Sequence, residues 1–339
     1  MNVEATPAAE PLSRIARYLE TAGLAGRNPR ILPLTPDASD RRYFRVRLDD
    51  APPLVLAVYA GPIEFATMPF ANVADLLQRM DLPAPAVLAH ADALGIVAQE
   101  DLGDVTLQAH LGADRVSDHL PLYREAVTLI HRLQEGGRRL ASPSWVPFTL
   151  AFDVEKLTFE LNFFQQHFLE GHRRAWLTAA EKAALSEEWA AIADELSAEP
   201  RVLCHRDYHS RNLMLHDGRL HLIDFQDARL GPDTYDLVSL LRDSYVDVTP
   251  QEVDRLMAWF TELSGIVDRA EFRRRFDLMA VQRNIKALGT FGFQAFARNN
   301  DAYLQYVPRT LRSIRDNLEK HHRFARLRGL LAAHVEELR

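Results

Sequence analysis

The most informative stretch of the sequence is residues 204–236, which read C-H-R-D-Y-H-S-R-N-L-M-L-H-D-G-R-L-H-L-I-D-F-Q-D-A-R-L-G-P-D-T-Y-D. The apolar run Val202–Cys204 ends at a polar segment, which predicts a short strand followed by a loop. Two more apolar runs, Leu213–Leu215 and Leu220–Ile223, enclose Asp217-Gly218, a dipeptide typical of tight hairpin turns. We therefore predict a strand, a loop and an antiparallel hairpin, in that order.

The predicted hairpin brings oxygen-bearing side chains together at one end. Asn212 precedes its first strand and Asp224 follows its second, and the loop that carries Asp207 reaches the same place. Carboxylate and amide oxygens in one small space repel each other unless a hard cation lies between them. Such ligands suit Mg²⁺, which keeps several waters and takes the rest of its shell from phosphates. The pattern predicts a magnesium-nucleotide site.

Asp207 lies outside the hairpin, five residues before Asn212. It can therefore face the metal site across a gap instead of ligating the metal. A carboxylate there can orient an alcohol and accept its proton during in-line phosphoryl transfer. We expect Asp207 to be the catalytic base.

These residues resemble the catalytic loop of the protein-kinase-like superfamily, namely His-Arg-Asp at 205–207, then Asn212, then Asp224-Phe225 after a hairpin. His209-Ser210 and the Gln226-Asp227 that follows Phe225 are similar to the aminoglycoside and choline phosphotransferase branch. The resemblance implies an α+β, protein-kinase-like two-lobe fold. A small antiparallel β-sheet lobe that binds nucleotide would span residues 1–101, and a mostly helical lobe with the sugar site would span residues 102–339.

Separated stretches resemble one subgroup, the bacterial anomeric N-acetylmuramate and N-acetylglucosamine kinases of cell-wall recycling. They include Asp37–Arg45, Glu100–Asp104 and Val281–Arg283 with Lys286. The resemblance implies ATP and Mg²⁺ as cofactors and a small sugar as the substrate. Two alternatives stay open, another small-molecule kinase of the same fold, acting on an aminoglycoside, choline, homoserine or a hexosamine, and a nucleotide-binding protein without turnover.

The same resemblance assigns roles to site residues. Asp207 would be the base, Asn212 and Asp224 the magnesium ligands, and His205 with Asp236 a brace for the loop. Polar residues in positions suited to sugar hydroxyls, the acetamido group or a lactyl carboxylate are Arg211, Asp227, Glu160 and Arg283. For Glu160 and Arg283 a salt bridge within the helical lobe is an equally good interpretation.

The nucleotide side departs from the usual kinase pattern. The turn that would cover the phosphates has no glycine, and the strand predicted at residues 54–59 has no lysine for the α and β phosphates. Ser39, Arg41 and Arg42 are our candidates for phosphate binding in their place. Residues 100–102, Glu100-Asp101-Leu102, are candidates for adenine contacts through their backbone, with an ordinary interlobe linker as the alternative.

Composition is that of a globular protein, with 339 residues, of which 47% are hydrophobic, and a net charge of −7. That charge argues against a nucleic-acid partner. The first eleven residues do not resemble a signal peptide, and the longest apolar run, Leu54–Ala60, is too short to span a membrane. A single cysteine suits the cytoplasm. We expect a monomer.

Patterning along the chain predicts the remaining elements. Alternation places Phe44 and Val46 on the buried face of a strand, with Arg45 and Arg47 facing solvent. Glycine, serine and proline predict a loop over residues 136–148. Apolar residues at helical spacing predict helices over residues 13–22, 70–80, 122–134, 151–170, 178–197, 250–263, 271–288 and 308–319.

Overall fold

The computed structural model describes residues 9–34, 41–113 and 119–339. Contacts divide the chain into two compact units. One comprises Met1–Asp104 with Met214–Gln226, and the other comprises Val105–Leu213 with Asp227–Arg339. The first unit thus includes most of the predicted hairpin. The sequence-based division of the chain after residue 101 places that hairpin in the second lobe.

The first unit is built on an antiparallel sheet of five strands in the order β1-β2-β3-β5-β4. Helix α1 packs on it through Ile15 and Leu19, which share a core with Val46, Leu56 and Ile96. The elements are α1 (Ala9–Thr21), β1 (Arg30–Pro33), β2 (Arg42–Arg47), β3 (Leu54–Val58), α2 (Pro69–Arg79), β4 (Val87–Ala91) and β5 (Ile96–Glu100).

Helix α1 begins earlier than expected. The helical spacing predicts a start at residue 13, but the described helix already includes Ala9. Pro11 lies in the first turn, where the missing N–H costs no intrahelical bond, so proline does not delay the helix. Gly23 follows the helix with a φ of 68°, a conformation that glycine adopts without strain.

The predicted hairpin is confirmed, with β7 (Leu213–His216) paired to β8 (Arg219–Leu222). Its turn residues Asp217 and Gly218 have φ values of 49° and 74°, as a two-residue turn of this type requires. The backbone N–H of Leu222 donates to the Pro83 carbonyl oxygen at 2.8 Å. Phe225 stacks on Phe70 of α2 with ring centroids 5.2 Å apart, so the hairpin packs as part of the first unit.

The strand before the catalytic loop has a partner that the sequence did not reveal. β6 (Arg201–Cys204) pairs antiparallel with β9 (Arg229–Pro232), residues that we had assigned to no strand. At Gly231 an added Cβ would lie 2.6 Å from the Phe152 ring, so a larger residue would not fit. The pairing joins the chain before the catalytic loop to the chain just after the hairpin.

The second unit is mostly helical. Its core contains large side chains that are fully buried, among them Trp189, Phe164, Phe168 and Phe276. The helices are α3 (Leu107–Ala113), α4 (Leu120–Leu140), α5 (Val154–Phe164), a π-helix (Gln165–His172), α6 (Ala179–Ser197), α7 (Tyr235–Leu241), α8 (Pro250–Leu263), α9 (Arg269–Arg298), α10 (Val307–Leu318) and α11 (Ala325–Ala332).

Helices α4 and α9 are longer than the sequence predicts. Their glycines lie at close packing contacts inside the helices and do not mark helix ends. The loop predicted over residues 136–148 is wrong at its start, since α4 continues to Leu140. An added Cβ at Gly137 would lie 2.6 Å from the Leu203 Cβ. Helix α9 likewise continues past Leu288, and an added Cβ at Gly289 or Gly292 would lie within 2.9 Å of neighbouring backbone atoms. Gly137 lets α4 pack closely on β6, Gly289 and Gly292 let α9 pack closely on α5 and on the π-helix, and none of the three ends its helix.

Candidate active site

The loop after β6 is braced by Asp236 of α7. Its carboxylate accepts hydrogen bonds from the backbone N–H groups of His205 at 2.6 Å and Arg206 at 3.1 Å. Arg206 has a φ of 83°, so the loop turns sharply just before Asp207. Burial raises the pKa of Asp236 to about 7, although the two backbone bonds act to lower it. The contact is of the kind that the predicted bracing role requires.

Asp207 is surrounded by cations of the second unit. Lys286 Nζ lies 3.1 Å and Arg283 Nη2 3.7 Å from its Oδ1, and Arg206 Nη1 lies 3.6 Å from its Oδ2. Burial acts to raise the pKa of the Asp207 carboxyl, but the charges of Lys286, Arg206 and Arg283 outweigh it and hold that pKa well below its ordinary value. The carboxylate is therefore ionised, as a proton acceptor must be.

Lys286 and Arg206 were not among the residues to which the sequence assigned a site role. Lys286 lies in the middle of α9, between the buried residues Ile285 and Ala287. A lysine in such surroundings is rare without a partner, and that was the signal that sequence reasoning overlooked. Arg206 belongs to the His-Arg-Asp motif itself, and its side chain contacts both Asp207 and Asp227.

The expected sugar-binding residues Asp227 and Arg211 lie in different surroundings. Asp227 Oδ2 is 2.7 Å from Arg206 Nη1, so this carboxylate is already paired with a cation that lies next to Asp207. The Arg211 guanidinium lies over the Tyr245 ring at 5.0 Å and near the Tyr303 ring at 5.7 Å. An aromatic ring beneath a guanidinium orients the arginine. The N–H groups then lie in the guanidinium plane and point away from the ring.

Glu160 and Arg283 are both buried in the second unit. Gln282 Nε2 donates to Glu160 Oε2 at 3.0 Å, and Lys156 Nζ lies 3.9 Å from Oε1. Within the part of the chain that the structure describes, Glu160 Oε1 has no hydrogen-bond partner. Arg283 Nε donates to Ser239 Oγ at 3.1 Å. The ion pair with Lys156 accords with the salt-bridge interpretation of Glu160, and the unsatisfied oxygen accords with a binding role.

The two expected metal ligands belong to different units, Asn212 to the second and Asp224 to the first. Asn212 Nδ2 donates to the Asp207 carbonyl oxygen at 2.9 Å. The other polar atom of this side chain, Oδ1, is an amide oxygen, which is a ligand type that Mg²⁺ takes. Asp224 has a φ of 63°, and its side chain is 46% exposed. Among the described residues no group of three or more His, Cys, Asp or Glu side chains could hold a metal. The amide of Asn212 and the carboxylate of Asp224 both supply oxygen ligands of the kind that fit Mg²⁺.

Arg41 and Arg42 point to different surroundings within the first unit. Arg41 Nη2 lies 3.9 Å from Asp224 Oδ1, and its guanidinium lies 5.9 Å from the Tyr43 and Tyr59 rings. Arg42 lines a cavity of about 190 Å³ whose other walls include Glu10 and Arg14. Arg41 is thus the arginine beside an expected metal ligand. Ser39, the third candidate for phosphate binding, lies outside the described residues.

Asp101, one of the three residues expected to contact adenine through the backbone, belongs to a buried ion pair. Arg45 donates from Nε and Nη2 to the Asp101 carboxylate at 2.6 and 2.9 Å, and from Nη1 to Asp104 at 2.7 Å. The prediction that Arg45 faces solvent is therefore wrong. Its guanidinium is buried in the first unit, where the Asp101 and Asp104 carboxylates accept its hydrogen bonds. Glu100 Oε2 accepts from the Ala86 N–H at 3.1 Å, and Leu102 is buried.

Comparison with known proteins gives the class to which this fold and this site belong. The chain matches the phosphotransferase enzyme family over residues 30–274. It is also similar in structure to a choline/ethanolamine kinase family protein from Mesorhizobium loti, with a TM-score of 0.60, 18% identity, and coverage of 95% of this chain and 98% of that one. The expected protein-kinase-like α+β fold is confirmed.

Curated relatives narrow the family. The N-acetylmuramate/N-acetylglucosamine kinase of Neisseria meningitidis serogroup B is 34% identical over 88% of this chain and 88% of its own length. The kinase of the same name from Pseudomonas putida is 30% identical over 87% of this chain and 86% of its own length. The chain therefore belongs to the phosphotransferase enzyme family and, within it, to the family of these kinases. The expected class of enzyme, an ATP-dependent phosphotransferase with an alcohol acceptor, is confirmed.

Proposed function

We propose that this enzyme transfers the γ-phosphoryl group of ATP to the anomeric hydroxyl of N-acetylmuramate, N-acetylglucosamine or both. The printed names of the curated relatives support these two sugars. The observation that carries the proposal is the position of the Asp207 carboxylate, which lies among Lys286, Arg283 and Arg206 in a loop whose backbone is hydrogen-bonded to Asp236.

In the proposed reaction Asp207 binds the acceptor hydroxyl and takes its proton. The hydroxyl oxygen forms a bond to the γ-phosphorus, and the bond from that phosphorus to the bridging oxygen of the β-phosphate breaks, so that ADP leaves. An anomeric hydroxyl is more acidic than other sugar hydroxyls. A carboxylate surrounded by cations is a weak base. Such a base can take a proton from an anomeric hydroxyl more easily than from the less acidic hydroxyl of an ordinary alcohol.

We propose that Asn212 and Asp224 hold Mg²⁺, which when bound would neutralise charge on the nucleotide phosphates. Arg41 is our choice for the cation that replaces the missing strand lysine, because it lies 3.9 Å from Asp224. Arg42 faces a cavity beside Glu10 and has weaker support. Adenine would contact the backbone of residues 100–102.

The sugar would contact Arg211, Asp227, Glu160 and Arg283. The Tyr245 ring supports Arg211 as the ligand of a lactyl carboxylate, because it helps to hold in place a guanidinium that can bind a carboxylate through two hydrogen bonds. Glu160, with its unsatisfied oxygen, would accept a hydrogen bond from the acetamido N–H or from a hydroxyl. Asp227 would act together with Arg206, to which it is paired.

Location and assembly remain predictions. No helix of the described residues is long and apolar enough to cross a membrane. The single buried cysteine supports a reducing compartment, for which we propose the cytoplasm. A monomer is our expectation, which size-exclusion chromatography with light scattering would test.

The proposed reaction is tested by phosphorus NMR of the purified enzyme with Mg-ATP and each sugar separately. We expect a new phosphomonoester signal that couples to an anomeric proton. A phosphomonoester at another position, or turnover of choline, homoserine or aminoglycosides with neither sugar phosphorylated, would reject the proposed substrate and leave the family assignment intact. The Asp207→Asn variant is the control for a base-dependent reaction.

A further inference from the structure

Lys286 forms the shortest contact between a cation and the Asp207 carboxylate. Its Nζ donates to Asp207 Oδ1 at 3.1 Å, and its side chain is only 15% exposed. In the part of the chain that the structure describes, Asp207 is the one hydrogen-bond acceptor for this ammonium group. A buried ammonium whose hydrogen bond goes to the base itself is placed to orient that base.

The neighbouring arginines are committed to other partners. Arg206 Nη1 lies 2.7 Å from Asp227 Oδ2 but 3.6 Å from Asp207. Arg283 donates to Ser239 Oγ at 3.1 Å and lies 3.7 Å from Asp207. Both distances to Asp207 exceed hydrogen-bond length, so the arginines add charge while Lys286 sets geometry.

The backbone that carries Lys286 is held tightly. Gly289, one turn further along α9, lies so close to α5 that an added Cβ would be 2.9 Å from the backbone N and Cα of Phe164. On the other side of Lys286, Gln282 bonds to Glu160 of α5 at 3.0 Å. Contacts before and after Lys286 therefore fix α9 against α5, and this limits movement of the ammonium group.

We infer that Lys286 is a positioning residue for phosphoryl transfer. It holds Asp207 by Oδ1 so that Oδ2 is presented to the acceptor hydroxyl, and it acts through Asp207 without binding the sugar or ATP itself. The inference rests on the proposed function, in which Asp207 Oδ2 takes the hydroxyl proton while the new O–P bond forms and ADP leaves. Lys286 keeps its own protons throughout.

The first test is steady-state kinetics of Lys286→Met. We expect kcat to fall about 100-fold, the range typical of losing one preorganised electrostatic donor, with KM for the sugar and for ATP nearly unchanged. Lys286→Arg, which keeps a positive donor, should recover part of kcat. Should the Met variant fold poorly in urea titrations, Lys286→Gln takes its place. A rise in KM with kcat unchanged would overturn the inference.

The chain offers a matched control in Lys320. Its Nζ lies 2.8 Å from Asp277 Oδ1, so it forms a lysine–aspartate pair of the same kind, with its side chain 29% exposed. Lys320→Met should lower stability and leave kcat at the wild-type value. An equal loss of kcat in both lysine variants would assign the effect of Lys286 to stability and overturn the inference.

The decisive test is the double variant Asp207→Asn with Lys286→Met. If Lys286 acts through Asp207 alone, its removal should cost less than about threefold in the Asp207→Asn background, because the residue it orients has lost its function. Losses that multiply fully would mean that Lys286 acts independently and would overturn the inference. A wild-type enzyme that phosphorylates neither sugar would instead reject the proposed function on which the inference rests.

Discussion

Two carboxylates of the second unit, the half-buried Asp207 and the buried Asp277, are both surrounded by cations, but to different degrees. Asp277 bonds to Lys320 at 2.8 Å, His321 at 3.1 Å and Arg273 at 3.3 Å, and its side chain is 3% exposed. Asp207 has one cation at hydrogen-bond distance, and its side chain is 22% exposed. A carboxylate saturated with donors joins helices, whereas one with a remaining acceptor position can take a substrate proton.

The pKa of both carboxyl groups is lowered for the same reason. Burial acts to raise the pKa of Asp277, and hydrogen bonding and charge from Lys320, with the charge of Arg273, overcome it. Lys286, Arg206 and Arg283 do the same at Asp207. A lowered carboxyl pKa therefore does not distinguish a candidate active site from a cluster of charges that only stabilises the fold. The number of satisfied oxygens and the access of solvent do distinguish them.

Replacing the base should have the largest effect on turnover. We expect Asp207→Asn to lower kcat about 1000-fold, because an amide cannot accept the hydroxyl proton. The measurement is phosphomonoester formation at saturating sugar and ATP. Near wild-type turnover in this variant would remove Asp207 from the mechanism and erase its functional difference from Asp277.

Arg41 should come next, through nucleotide binding. We expect Arg41→Ala to raise KM for ATP about tenfold through loss of a phosphate-binding charge, while Arg42→Ala changes it less than about threefold. The pair is matched in type and adjacent in sequence; Arg41 Nη2 lies 3.9 Å from Asp224 Oδ1, whereas Arg42 lines the cavity beside Glu10. Equal nucleotide affinity in both variants and in the wild type would contradict the replacement of the missing lysine by either arginine.

Asp277→Asn should leave turnover unchanged and lower stability. Removing one partner of a buried charge cluster leaves Lys320 and Arg273 without their carboxylate, and we expect a loss of about 2 kcal/mol in the free energy of unfolding. Urea unfolding measures the loss, and kcat of the folded variant provides the control. A large drop in kcat would mean that the saturated cluster also serves the reaction.

Glu199 should have the smallest effect on turnover and a clear effect on the pH dependence of stability. Burial raises its pKa to about 8, although Arg275 acts to lower it. The unfolded chain ionises Glu199 near its ordinary pKa of 4.5, so the wild type should lose stability as pH rises from about 4.5 to 8. Glu199→Gln should lack this component. The measurement is the melting temperature of the wild type and of Glu199→Gln across that pH range. If the two curves run parallel, Glu199 is ionised in the folded state and the prediction is wrong.

Much of the local structure could be predicted from neighbouring residues. The Asp217-Gly218 turn and the apolar runs beside it predict the hairpin, and apolar residues at helical spacing predict α8 over residues 250–263. Glycines were less informative. Gly137 and Gly289 signalled a loop and a helix end in sequence, but in the structure they serve close packing, which depends on residues far away in the chain.

The sequence by itself determined the family, the catalytic loop and the order of its polar residues, because these are short motifs whose spacing is visible in one segment. Tertiary structure alone decided which cations meet which carboxylates. Lys286 meets Asp207 across 79 residues, and Arg45 meets Asp101 across 56 residues. Partners so far apart are selected by how helices and strands pack, and the free energy of that packing is a property of the whole fold.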